Sequence, residues 1–366
     1  MVIMQIIPDL GTGGAEIMCK SLSITLSQKG HRVIVVSLYD KETSNTKELE
    51  EKSIPVIFLN KKRGLDIGCI FRLRKLIKSY SPDVLHTHLY ALKYALFASF
   101  GTKKKIIHTI HNIASKEAEG TNKWINSIAY KLKIAKPISI SKKIQETVIQ
   151  EYSITKDDTP IIYNGIDLSK FTPVNSYAIH CPVQIVHVGR FQYQKNHECI
   201  VDAVNYLIDK NFIITCIGDG EKRDEIVTKI EERKVNAFFA LVGLSNHVEE
   251  YLQNSDIFIL PSRWEGLPIS ILEAMATGLP IIASDVGGVS DIIKHEENGI
   301  LINPNPIELA NALTKLINDE ELRTRIGRQA LKDSGKYSIE AMTEKYEYEY
   351  RSILPVNYQS IGYRNS

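Results

Sequence analysis

The chain has 366 residues, of which 43% are hydrophobic and 24% charged, and its net charge at neutral pH is only +2. A chain of that length and balance buries a core in each of two domains, which excludes a disordered or low-complexity protein. Five cysteines without metal-like spacing exclude a zinc site and a disulfide framework, and the absence of any run of about 18 apolar residues excludes a membrane span.

The N-terminal run MVIMQII lacks the basic start of a secretion signal. It reads as a buried first strand, and the expected location is the cytoplasm. Further strand-like runs follow at 32–38, 54–59, 84–88 and 106–109, with helical patterns at 15–28 and 67–79. Strands that are apolar throughout, alternating with helices, predict a parallel sheet covered on both faces. A polar, proline-containing break at 173–182 is the expected linker, after which the rhythm restarts. The second strand set lies at 183–188, 212–217, 238–242, 257–260, 280–283 and 300–302, and its helices at 197–207, 221–233, 270–276 and 307–317. The expected class is therefore α/β, with two doubly wound, Rossmann-like domains at 1–172 and 183–337. The segment 338–366 holds a charged, tyrosine-rich helix that either crosses back to the first domain or packs on its own.

Charge divides along the chain. Residues 1–167 carry 25 Lys+Arg against 16 Asp+Glu, and the remainder 20 against 27. A basic first half fits an anionic partner or a solvated, lysine-rich surface. The basic residues recur as Lys61-Lys62-Arg63, Arg72, Arg74-Lys75, Lys103-Lys104-Lys105, Lys131 and Lys133, with Trp124 beside Lys123 as an interfacial anchor. The expected partner is an anionic membrane surface, and no nucleic acid.

Two glycine-rich turns follow strands: Gly11-Thr12-Gly13-Gly14-Ala15-Glu16 and Gly218-Asp219-Gly220-Glu221-Lys222-Arg223. Neither completes the dinucleotide fingerprint, since Glu16 and Arg223 stand where its third glycine belongs. Each still serves as a tight strand–helix corner or as an anion cradle at a helix start. In the second half, Glu265 and Glu273 are separated by seven residues. Gly266 permits close backbone approach, and Pro268 is expected at the first helical position. Glu265 is then on the loop before a helix and Glu273 on the helix, where a carboxylate accepts ribose hydroxyls. Upstream, Arg190 and Lys195 lie five apart on a loop after a strand, as two cations for a diphosphate leaving group. His86 and His88 are read as alternating structural residues on opposite faces of one strand.

The ordered set resembles the retaining nucleotide-sugar glycosyltransferases of family four, which have the GT-B architecture of two Rossmann-like domains facing a central cleft. The matching stretches include Gly13-Gly14-Ala15-Glu16, Thr109-Ile110-His111-Asn112, Tyr163-Asn164-Gly165-Ile166-Asp167, Val188 to His197, Gly218 to Arg223, Asp256 to Glu273 and Asp285-Val286-Gly287-Gly288. The resemblance implies that Arg190 and Lys195 hold the donor diphosphate and Glu273 the ribose. Glu265, with the backbone of Gly266 and Leu267, would hold the donor sugar and diphosphate, with Gly189 and Gly218 lining the donor site. Gly14 would admit the donor closely, and His111 would contact the transferred sugar. It further implies transfer of a hexose or N-acetylhexosamine, a uridine diphosphate sugar above all, to a glycan or polyprenyl-linked acceptor in surface-polysaccharide assembly.

No Asp-x-Asp motif occurs, so neither a metal nor a cofactor is expected. The competing readings are a sugar-nucleotide epimerase or phosphorylase on the same fold and a non-catalytic sugar-nucleotide-binding subunit. The intact set Arg190, Lys195, Glu265 and Glu273 argues against the last.

Overall fold

The computed structural model describes residues 1–102, 104–207 and 210–355; Lys103 of the basic set and the end of the 338–366 segment lie outside the described residues. Two compact units are present, one of residues 1–165 with the chain from Ile339 onward, the other of Ile166–Ser338.

The first unit runs β1 (Val2–Ile7), α1 (Gly14–Gln28), β2 (Arg32–Ser37), α2 (Ser44–Glu51), β3 (Val56–Phe58), α3 (Ile67–Tyr80), β4 (Val84–His88) and α4 (Leu92–Ser99). It continues with β5 (Lys105–Ile110), α5 (Ala114–Glu117), α6 (Thr121–Lys131), β6 (Ala135–Ser139) and α7 (Lys142–Tyr152). Among the described residues its strands form one parallel sheet in the order β3-β2-β1-β4-β5-β6. The interiors of β1, β2, β4 and β5 are buried on both faces, which is why β1 and β2 read as nearly continuous apolar runs, while the edge strand β3 is half-buried. Helices α3, α4 and α6 pack side by side along one face.

In the second unit β7 (Val183–Val188), α8 (His197–Val204), β8 (Phe212–Ile217), α9 (Arg223–Glu232), β9 (Phe239–Gly243), α10 (Val248–Gln253) and β10 (Ile257–Leu260) come first. Then follow α11 (Ile269–Thr277), β11 (Ile281–Ser284), α12 (Val289–Ile292), β12 (Ile300–Ile302), α13 (Pro306–Asn318) and α14 (Glu320–Ser334). The sheet order is β12-β11-β10-β7-β8-β9, again parallel. In both sheets the order reverses beside the unit's first strand, so each has a topological switch point between its first and fourth strands.

Three expectations need correction. The unit boundary falls after Gly165, not at a linker over 173–182. That polar stretch is anchored to the second unit: Val174 N–H donates to the Thr277 carbonyl at 2.9 Å, and His180 Nδ1 lies 2.7 Å from the Asp256 carboxylate. Pro268 caps α11 in an extended conformation (ψ 120°) instead of occupying its first turn. His86 and His88 share a face, their ring centres 4.3 Å apart, because residues two apart on a strand point the same way. The last helix, α15 (Ile339–Ser352), packs on α1 in the first unit. There Tyr350 Oη meets His86 Nδ1 at 2.7 Å, and Glu347 pairs with His31 at 2.7 Å.

Candidate functional site

In the second unit, the loops after β7 and β10 flank the switch point and are bound to each other. Asn196 adopts the left-handed conformation (φ 57°), ends the turn Tyr193–Lys195, and donates its side-chain amide to the Pro261 carbonyl at 3.0 Å. Arg263 N–H donates to the Gln194 carbonyl at 2.8 Å. This brings Lys195 Nζ to 2.6 Å from Glu265 Oε1. Ser262 Oγ donates to the same oxygen at 2.6 Å, and Gln194 Nε2 lies 3.3 Å from the other. The Glu265 side chain is only 5% exposed and that of Lys195 17%. A carboxylate so buried is tolerable only with this set of donors.

Glycines make the close approaches. A Cβ on Gly189 would crowd the Lys195 stem at 3.2 Å. Gly218 has φ +140°, and a Cβ there would lie 2.1 Å from the Gly189 carbonyl oxygen. The loop after β8 thus rests directly on the loop after β7, beside the half-buried Arg190. After β11, Gly288 N–H donates to the Gly266 carbonyl at 2.8 Å.

Gly266 and Leu267 are buried at the start of α11, which has no side-chain N-cap bond, and Glu273 is half-buried one turn into the helix. The helix N-terminus carries partial positive charge. Gly189, Arg190, Lys195, Gly218, Glu265, Gly266, Leu267 and Glu273 all lie within the second unit, at or just beyond the carboxyl ends of β7, β8 and β10, where open α/β sheets bind ligands.

In the first unit, Gly13 caps α1 and Gly14 opens it, both at the surface of the turn after β1. Asn45 Nδ2 donates to the Gly11 carbonyl at 2.5 Å, which ties this turn to α2. His111, just past β5, is half-buried, and its Nε2 lies 3.0 Å from His88 Nδ1, while His88 Nε2 lies 2.9 Å from Gln5 Oε1. With Gln5 Oε1 as terminal acceptor, each ring donates along the row, and His111 Nδ1 keeps its lone pair. Burial, and then the neighbouring His108, pushes His111 down to about 3, so it is neutral at physiological pH. The sequence reading missed this row, because it placed His86 and His88 on opposite faces.

The description Glycosyltransferase Family 4 matches residues 12–170, and Glycosyl transferases group 1 matches residues 178–333. An Escherichia coli UDP-Gal:alpha-D-GlcNAc-diphosphoundecaprenol alpha-1,3-galactosyltransferase is 29% identical over 299 residues, 74% of this chain and 75% of its own. The amylovoran biosynthesis glycosyltransferase of Erwinia amylovora is 32% identical over 165 residues, 44% of this chain and 46% of its own. Among solved structures, Anabaena HepE in complex with UDP-glucose superposes with a TM-score of 0.85 at 22% identity, covering 96% of this chain and all of that one.

Proposed function

Matched in one domain by family four and in the other by group 1, the chain belongs to the family-four-like GT-B glycosyltransferases, and we propose that it transfers a hexose or N-acetylhexosamine from a nucleotide diphosphate sugar. We take a uridine diphosphate sugar as donor and a glycan or lipid-linked glycan as acceptor. The E. coli relative's name states a UDP-galactose donor and a diphosphoundecaprenol-linked acceptor, which supports this choice. The observation that carries the reading is the Lys195–Glu265 pair at the switch point, with Arg190 on the loop that also holds Lys195.

The proposed chemistry retains configuration. The anomeric C–O bond to the diphosphate breaks, and the acceptor oxygen bonds to the same face. The acceptor's proton passes to the departing phosphate oxygen, and nucleoside diphosphate leaves. Arg190 and Lys195 stabilise the charge growing on that oxygen, so the proposed reaction calls for neither metal nor cofactor. An ammonium has three N–H donors, so Lys195 can bond a phosphate while keeping Glu265. We assign Glu265 with the Gly266 and Leu267 backbone to the donor sugar and diphosphate, Glu273 to the ribose, and Gly189 and Gly218 to close backbone approach. His111 is assigned to the transferred sugar and Gly14 to access along the first domain.

We further assign the enzyme to the inner face of the cell membrane as a peripheral protein. The outer sides of α3, α4 and α6 support this: Phe71, Phe97 and Trp124 are each at least half exposed, as are Leu65, Ile67, Phe100 and Leu132 around them. Over residues 60–134 there are 15 Lys+Arg against 4 Asp+Glu. The test of the activity is release of nucleoside diphosphate that requires added acceptor and survives excess EDTA, with the product anomer read by NMR. Release without acceptor would favour an epimerase or hydrolase, and donor binding without any turnover would favour the non-catalytic subunit.

A further inference from the structure

Tyr39 follows β2, Lys61 follows β3, and Tyr90 and Lys93 follow β4, at the carboxyl edge of the first sheet. The Lys61 ammonium is buried, and its three donors reach the Tyr39 hydroxyl at 3.3 Å and the Lys62 and Gly64 carbonyls at 2.8 Å each. It also lies 4.9 Å from the centre of the Tyr39 ring. A full positive charge is thus fixed there with no carboxylate paired to it among the described residues. The half-buried Lys93 ammonium lies 5.9 Å from the Tyr90 ring and 5.5 Å from the Tyr94 ring. It has no hydrogen-bond or carboxylate partner among the described residues.

A half-buried cation among tyrosine faces keeps some cation–π attraction but lacks a counter-anion. Burial, and then Lys61, lowers the Lys93 pKa. Hydrogen bonding to Tyr90, and then to Lys61, holds the Tyr39 phenol below its usual range and strengthens it as a donor. Asp9 is the acid facing these phenols, and it already accepts the Gly11 N–H at 2.9 Å. Between β4 and Tyr90, Leu89 sits at φ 54°, a left-handed conformation that is unfavourable for a non-glycine residue. Such strain persists where the surrounding structure enforces it, and it concentrates at ligand sites.

We propose that Lys93 and Tyr39, above the buried charge of Lys61, form a subsite for a phosphate or diphosphate ester on the acceptor. Two ammonium point charges and a phenol suit the spread oxygens of a phosphate, whereas a planar carboxylate is better met by an arginine fork. Naming the acceptor as the source of the anion rests on the glycosyl-transfer reading; the anion site itself does not.

Calorimetry on the full chain compares a short-alkyl sugar 1-diphosphate, the uncharged alkyl glycoside, a carboxylated glycoside and inorganic pyrophosphate. The diphosphate ester is expected to bind at least about tenfold more tightly than the glycoside, on the order of one charge-assisted contact. Lys93→Ala, at an unchanged melting temperature, should remove most of that preference, Lys93→Arg should restore part of it, and Tyr39→Phe should weaken it. The proposal is overturned if Lys93→Ala keeps the preference, if the carboxylated glycoside shows it equally, or if pyrophosphate alone reproduces it. Failure of every nucleotide sugar to turn over, with the ester preference intact, would sink the transferase reading and leave the subsite standing.

Discussion

Gly287 lies so close to Glu265 that a Cβ on it would sit 1.7 Å from the Glu265 carbonyl oxygen, and its φ of +55° already favours glycine. The turn after β11 therefore sets the position of the loop before α11. Gly287→Ala must displace that loop and with it the carboxylate that Lys195 holds, at a cost on the order of 1–3 kcal/mol. The expected outcome is a lower melting temperature together with a fall in kcat/KM. A Gly287→Ala protein with wild-type melting and turnover would show that the turn does not constrain Glu265.

Lys195→Ala leaves the buried Glu265 carboxylate without its ion-pair partner, which typically destabilises by about 3–5 kcal/mol, and removes a cation from the proposed diphosphate site. Both the melting temperature and kcat/KM should drop, the latter by roughly 10–1000-fold. Turnover within twofold of wild type would exclude Lys195 from the site.

The α/β alternation and the Glu265–Glu273 spacing were legible because they are local: each is set by a few consecutive residues. The pairing of Lys195 with Glu265 spans 70 positions and depends on Asn196 and Gln194 tying two loops together. Nothing in the sequence marks that. Lys61 read as one of three surface charges, yet it is buried, because Tyr39, Tyr94 and two carbonyls converge on it. Polarity at 173–182 suggested a linker, while the hydrogen bonds of Val174 and His180 tie that stretch to the second unit.

Acid should destabilise the protein well above the range in which carboxylates titrate. His86, His88, His108, His187 and His197 are all buried. Burial holds the pKa of each far down, to about 3 for His108, about 4 for His187 and about 2 for His197. Unfolded histidines bind a proton near 6.5, so the unfolded state carries more protons as pH falls below that value. Stability is therefore fully present above about 6.5 and is lost progressively toward the folded values. Each such histidine contributes up to about 1.4 kcal/mol of loss per pH unit in that window. The melting temperature should fall steadily between about pH 6.5 and 5; a flat profile there would mean that these rings protonate in the folded state.

The last prediction concerns the membrane. Of the basic residues expected at the interface, Lys61 is buried, Arg74 donates to the Ala98 and Phe100 carbonyls at 2.9 and 2.7 Å, and Lys133 pairs with Asp158 at 3.3 Å. The exposed cations that remain include Lys62, Arg63, Lys75 and Lys131, and the exposed Lys78, outside the expected set, joins them on α3. On α3, Ile67, Phe71, Lys75 and Lys78 recur at helical spacing on the solvent side, opposite the buried Cys69, Leu73 and Ile77. Phe97 stands on the adjacent α4, whose end is tied to α3 through Arg74. Near an anionic bilayer each cation contributes about 1 kcal/mol, and this attraction is screened by salt. An inserted phenylalanine contributes about 1.5–3 kcal/mol that salt does not screen. The combination predicts flotation with anionic vesicles at low salt, weakened but not abolished at high salt, and a weaker, salt-insensitive binding to neutral vesicles that matches the high-salt residue. Lys75→Glu with Lys78→Glu should remove the salt-sensitive part, and Phe71→Ser with Phe97→Ser the residue left at high salt. Failure to float with anionic vesicles at low salt would end the membrane assignment and leave the transferase reading untouched.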